Sequence, residues 1–333
     1  MTFEENMVKG GIRLLGFIGL LLGGSCLHGA YLFKNGHFYN QKDVATQSIE
    51  QHYQLGIDAL KAKKWDAAYQ QFRIITVSFE GASLALDAQY YLGVCLYEMY
   101  EFDIANREFS TYLEKANTPT HLEDVYRYKL AIAQKLSGGA YCHLFGFDSL
   151  PKLQTGRSTA LEIFDEVASG LPNHDLAATA LLGKAKLLKY QEEFSESIEV
   201  YQTAIRRFPG SAFALKAYQG ISTCYLEDIR RQPQNVDAIA LAEINLKEIA
   251  KDFPQAKELA AVESDMTTIK EIYVKALYET AQLYERMSQP KAAVLYYHVA
   301  MTKFPTSSIA LSCRARIKEL STYAEELHLA LPS

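Results

Sequence analysis

Recognisable catalytic signatures are missing from this 333-residue sequence. It has no glycine-rich nucleotide loop and no His-Glu-x-x-His. The eight histidines are scattered over positions 28, 37, 52, 121, 143, 174, 298 and 328. Beyond Cys26, the cysteines Cys95, Cys142, Cys224 and Cys313 form no Cys-x-x-Cys pair. Cys142 and His143 are adjacent soft ligands, but two ligands do not make a zinc site. The thiols are free to pair in an oxidising compartment, and their spacing does not choose the pairs. No block of like charge stands out, and a net charge of −5 offers no basic surface for nucleic acid. The apolar run from Leu14 to Leu22 is too short for a comfortable membrane span. These absences point to a non-enzymatic protein with no cofactor or metal.

What is present is a period. Trp65, Ala68 and Phe72 recur as Phe102, Ala105 and Phe109, each 37 residues on, and Phe164 and Pro172 recur as Tyr201 and Pro209 at the same step. A small residue (Ala68, Ala105, Ala160, Ser197, Ala242, Ala293) is followed four positions later by a large one (Phe72, Phe109, Phe164, Tyr201, Leu246, Tyr297). Positions four apart share a helix face. The small residue lets two helices approach, and the large one fills the space beside it. Eight residues further on, Pro172, Pro209, Pro254 and Pro305 stop the helix. Gly56, Gly93, Ala185 and Ala281 stand twelve residues before the small position and mark the first helix of a pair. This resembles the tetratricopeptide pattern with three residues added to its usual length. The expected fold is all-α, a helical solenoid of about six pairs plus a C-terminal capping helix from Ser308 to Leu329.

The start of the chain reads differently. Lys9 and Arg13 precede the apolar run, and Gly24-Ser25-Cys26 follows it. That is a signal-peptide layout. It resembles a bacterial lipobox, which implies that residues 1–25 are removed and that Cys26 carries the lipid. An uncleaved anchor and ordinary cleavage near Ala30 are the alternatives. Leu27 is not the aspartate that retains such proteins in the inner membrane, so the resemblance implies the outer membrane. Acyl chains would hold the protein stably at its surface. Residues 26–48 read as a polar tether.

Repeats one to three occupy 49–177. The third carries an insert of 18 residues, at about 137–156, through Leu144-Phe145-Gly146-Phe147-Asp148. Repeats four to six and the cap occupy 178–330. Repeat five has a long turn at Arg230–Asn235, and a charged stretch, 255–270, precedes repeat six at about 274–307.

A cysteine for lipidation, tandem long repeats and this insert together resemble the BamD family of outer-membrane β-barrel assembly lipoproteins. Leu144 to Asp148 is similar to the family's Phe-Phe-Gly-Val-Asp segment. Tyr278 to Pro305 is similar to its last repeat, and the chain is longer by about one repeat. The resemblance implies a lipid-anchored periplasmic scaffold that binds unfolded outer-membrane proteins and the barrel-forming core subunit. It also makes Phe145, Phe147 and Asp148 contact residues. The alternative is a periplasmic adaptor coordinating envelope or cell-wall factors. Should helix A line a groove, the offsets around its small residue place Tyr53, Tyr90 and Tyr97 there as aromatic anchors. The same offsets place Lys186 and Lys189 where an acidic group or terminal carboxylate would meet them.

Overall fold

The computed structural model describes residues 31–34 and 37–327, and the signal-peptide and lipidation readings at 1–26 lie outside them. The described residues form an all-α solenoid of the tetratricopeptide type in two compact units, residues 1–120 and 121–333. In the first unit α1 (Ile49–Lys61) pairs with α2 (Trp65–Ser78), and α3 (Ser83–Glu98) with α4 (Phe102–Lys115). In the second, α5 (Leu122–Ser137) pairs with α6 (Arg157–Gly170), α7 (Asp175–Tyr190) with α8 (Phe194–Arg207), and α9 (Ala212–Arg231) with α10 (Val236–Asp252). Next, α11 (Leu259–Arg286) pairs with α12 (Pro290–Lys303), and α13 (Ser308–Glu319) and α14 (Ser321–Glu326) follow.

The small-to-large code has a direct steric meaning. A β-carbon on Gly56 would lie 2.7 Å from the Phe72 ring, and one on Gly93 2.7 Å from Phe109. Both rings are fully buried, as are Ala68 and Ala105. In the second unit the same aromatic position reaches the helix that follows. Phe164 lies against Gly183, and Tyr201 against Gly220. Each proline acts one residue ahead of itself. Leu171, Phe208, Phe253 and Phe304 precede it, and all leave the helical region, with φ between −136° and −127° and ψ between 55° and 67°.

The turn inside four of the pairs rests on one left-handed residue. Lys63 (φ 55°), Tyr100 (62°), Glu192 (69°) and Ser288 (58°) each sit two positions before the second helix. The third pair replaces this turn with its insert, and the fifth with the longer turn after Arg231.

Two expectations need correction. The charged stretch before repeat six is largely helical and continuous with it, in the 28-residue α11. Val262, Met266, Ile269 and Tyr273 recur every three or four residues, and all are buried, so one apolar stripe runs under the charges. The C-terminal cap is two helices, because the chain turns at Leu320 (φ −101°, ψ 24°).

The stretch read as tether is partly structured. Strands β1 (Tyr31–Lys34) and β2 (His37–Asn40) pair antiparallel. The segment after them is seated on the first helix pair. The Gln70 amide donates to the Lys42 carbonyl (2.8 Å), the Ala45 N–H donates to Ser78 Oγ (2.9 Å), and the N–H groups of Thr46 and Gln47 donate to His52 Nε2 (both 3.3 Å). The buried His52 ring therefore carries its proton on Nδ1, facing Gln71 Oε1 at 2.8 Å. Any free tether ends before Lys42.

Candidate interaction surface

The three tyrosines assigned to a groove are packed between helices. Tyr90 is the clear correction. It is 8% exposed, with its ring 6.2 Å from Phe109 and 6.0 Å from Tyr112. Tyr53 is half-buried, edge-on to Phe72 (6.1 Å) and to Tyr91 (6.2 Å). Burial, with Tyr91 and Asp87 nearby, pushes its phenol up to about 12. Tyr97 is half-buried with its ring 5.6 Å from Phe102. The glycine at the small position brings the paired helix so close that residues beside it face that helix.

Of the two lysines on α7, Lys186 is exposed, and Lys189 is half-buried and donates to Thr223 Oγ1 on α9 at 3.1 Å. The two do not converge on a common cavity edge: one reaches solvent and the other ties neighbouring repeats together.

The insert behaves in the opposite way. Strands β3 (Tyr141–His143) and β4 (Lys152–Thr155) make an antiparallel hairpin between α5 and α6. Its root is fixed. Cys142 and His143 are buried, the Gly156 N–H donates to the Ala140 carbonyl (3.2 Å), and a β-carbon on Gly156 would lie 2.6 Å from Leu136. Its tip is apolar and open to water, with Phe145 81% exposed and Phe147 60%, and along its strands Leu153 (64%) and Tyr141 (56%) are exposed as well. Asp148 is exposed beside them. Phe145 (φ 54°) and Gly146 (φ 73°) are consecutive left-handed residues, a conformation that costs free energy at a phenylalanine. The Leu144 N–H to Pro151 carbonyl bond (3.2 Å) and the Phe147 N–H to Leu144 carbonyl bond (3.2 Å) hold that turn closed. Clustered apolar side chains on a fixed support mark a surface for association.

At the foot of the hairpin the Arg157 guanidinium stacks over Tyr190 (4.7 Å) and donates to its hydroxyl (3.3 Å). The sequence reading missed this pair, whose Tyr190 is 66% exposed. Among the described residues all four cysteines are buried. Cys95 and Cys313 are buried, and desolvation pushes them up to about 12 and about 11. Cys224, also buried, lies 3.3 Å from Ser197 Oγ.

Comparison with family models finds the repeat in two of the helix pairs. The profile of the family described as tetratricopeptide repeat matches residues 179–211 and 275–307, which are the fourth and sixth pairs. No curated protein matches the sequence. Among solved structures, a tetratricopeptide-repeat protein from Bacteroides fragilis is 15% identical, with a TM-score of 0.40, over 74% of this chain and 96% of its own. The MamA protein from Desulfovibrio magneticus is 14% identical, with a TM-score of 0.35, over 64% of this chain and 99% of its own. A thermophilic tetratricopeptide-repeat protein from Thermus thermophilus is 16% identical, with a TM-score of 0.30, over 66% and 100%. At such identities these likenesses say nothing of what this chain binds. Two of the helix pairs carry the tetratricopeptide repeat within an all-α solenoid of that type, a fold that serves as a scaffold for protein–protein interaction.

Proposed function

We propose that this protein is a lipid-anchored periplasmic scaffold of the outer-membrane β-barrel assembly machinery. Cys26 carries the lipid, and the hairpin between α5 and α6 is the contact for the barrel-forming core subunit and unfolded barrel substrates. The observation that carries the reading is the exposure of Phe145 and Phe147 on a hairpin whose root is buried. Aromatic anchors held on a rigid support lose little entropy on binding, which is what a docking surface requires. A chain that ordered itself fully for its own stability would have turned these rings inward.

The experiment is site-specific photocrosslinking in intact envelope, with a benzophenone amino acid at position 145 and, separately, at 147. Adducts with the core barrel subunit or with nascent outer-membrane barrels are the expected result. Adducts only with cell-wall factors would replace this reading with that of an envelope adaptor. The anchor is tested by Cys26→Ala, which is expected to abolish acyl labelling and release the mature chain from membranes. Retention of the variant after carbonate washing would show that residues 14–22 are an uncleaved anchor.

A further inference from the structure

The second unit carries a cleft that uses none of the hairpin's residues. It lies where the start of α8 faces the end of α9 and the start of α10, and encloses about 600 Å³. Its walls come from the second helices α8 and α10, from the end of the first helix α9 between them and from the turns that join them.

The chemistry of the cleft is one-sided. Glu196 and Glu199 project from α8, Glu193 stands just before that helix, and Asp237 enters from α10. All four are exposed, and among the described residues none has a basic side chain within ion-pair distance. The cleft's one arginine, Arg231, is already engaged by Glu192 and lies over the Phe194 ring at 5.9 Å. Between the acids the floor is apolar. Leu241, four residues beyond Asp237 on α10, is 47% exposed, with Phe194 and Ile198 half-buried across from it. A second cleft of about 920 Å³ lies on the far side of the turn and shares Gln232, Asn235 and Asp237, but its walls are mixed in charge, with Arg286 exposed and Glu279 paired with Lys275 at 3.8 Å.

We infer that the first of these clefts, between α8 and α10, is a docking site for a cationic segment of another protein, with lysine or arginine side chains spaced around an apolar one. Charge complementarity selects this occupant. Four carboxylates outside any ion pair repel an acidic chain, and each gains from an ammonium or guanidinium placed against it. Leu241 gives the apolar residue of the segment a place between them. The rim charges set on-rate and partner choice, and the apolar floor sets residence.

The test is fluorescence anisotropy on the mature full chain, with a fluorescein-labelled peptide alternating lysine and leucine. Its glutamate–leucine counterpart is the comparison. The lysine peptide is expected to bind more tightly and to weaken as salt rises. Glu196→Lys with Glu199→Lys is expected to weaken it by about tenfold or more, with circular dichroism unchanged because both side chains are solvated. Leu241→Ser is expected to weaken it also. Glu263→Lys reverses an exposed acid outside both clefts and is expected to leave it unaltered. Equal affinity for the two peptides overturns the inference, as does a double variant that binds the lysine peptide as tightly as the natural chain. Because the hairpin is untouched, its crosslinking result stands or falls separately.

Discussion

The closure of a helix pair turns on Gly93 and Phe109. In Gly93→Ala the new β-carbon would stand 2.7, 2.8 and 2.9 Å from Cε1, Cδ1 and Cζ of the ring. The ring is fully buried and packed against Tyr90, so it cannot swing clear. Overpacking of this kind costs about 1–3 kcal/mol. Alanine recovers about 1 kcal/mol of helix propensity over glycine. The net expectation is a loss of roughly 1 kcal/mol. Phe109→Leu alone leaves a void and costs less than the roughly 3–5 kcal/mol of truncation to alanine. Combined, the methyl at 93 enters the space the ring has left, so the two costs should not add. An interaction of roughly 1–2 kcal/mol is expected from the double-mutant cycle. Trp65 is the chain's one tryptophan and lies in the same unit, so its fluorescence during urea unfolding reports this part of the molecule. Strictly additive costs, or a Gly93→Ala variant as stable as the natural chain, would refute the steric account.

Tyr90→Ala should destabilise the first unit by about 3–5 kcal/mol, as for other buried aromatics, and a normal melt with lost peptide binding would restore the groove reading. Burial works to raise the Glu285 carboxyl, but hydrogen bonds from Arg316 and Tyr297 outweigh it and hold it below its usual 4.5. The stability it lends to the α11–α13 contact is therefore complete above pH 4.5 and lost as pH falls through the lower folded value. Hydrogen exchange in α13 should rise on acidification over that window, and in Glu285→Gln it should be high at all pH values. An acid response unchanged by that substitution would point to another group. Iodoacetamide at neutral pH should leave Cys95 and Cys313 unlabelled in the native chain and label both in urea, whereas rapid native labelling would mean that these helices open readily.

What could be read from the sequence followed from local sterics. Gly56 with Phe72, and Gly93 with Phe109, each require a small and a large residue at a fixed offset, so their contact leaves a period in the chain. Proline dictates the conformation of its predecessor, and so the ends of α6, α8, α10 and α12 could be read too. The insert was visible as extra length, and its hairpin was not, since Tyr141–His143 and Lys152–Thr155 are too short for an alternating pattern. Tyr90 was misplaced because helical spacing gives a face but not the neighbour that covers it. The stripe of Val262, Met266, Ile269 and Tyr273 was hidden by the charges around it. Lys63, Tyr100, Glu192 and Ser288 gave no signal, because none is the glycine expected at a left-handed turn. The acidic cleft joins α8 to α10 across an intervening helix, and no local pattern foretells such a meeting.

The 28 residues of α11 span about 42 Å at 1.5 Å each. Its first half lies under the fifth pair, through Val262 beside Tyr218 and Ile249 and through Asp265 accepting from Ser222. Its second half carries Tyr278 and Glu285 against Tyr297 of the sixth pair. Repeat arrays store flexibility at the joints between neighbours, and here the chain still turns at 253–258 but a single continuous helix packs on the pairs either side. The fifth and sixth pairs are therefore expected to tilt together, because α11 is shared between their packing surfaces. Unfolding that begins at the C-terminus has no resting place until the whole of α11 has come away, which makes the last two pairs one cooperative block where a regular array would have two.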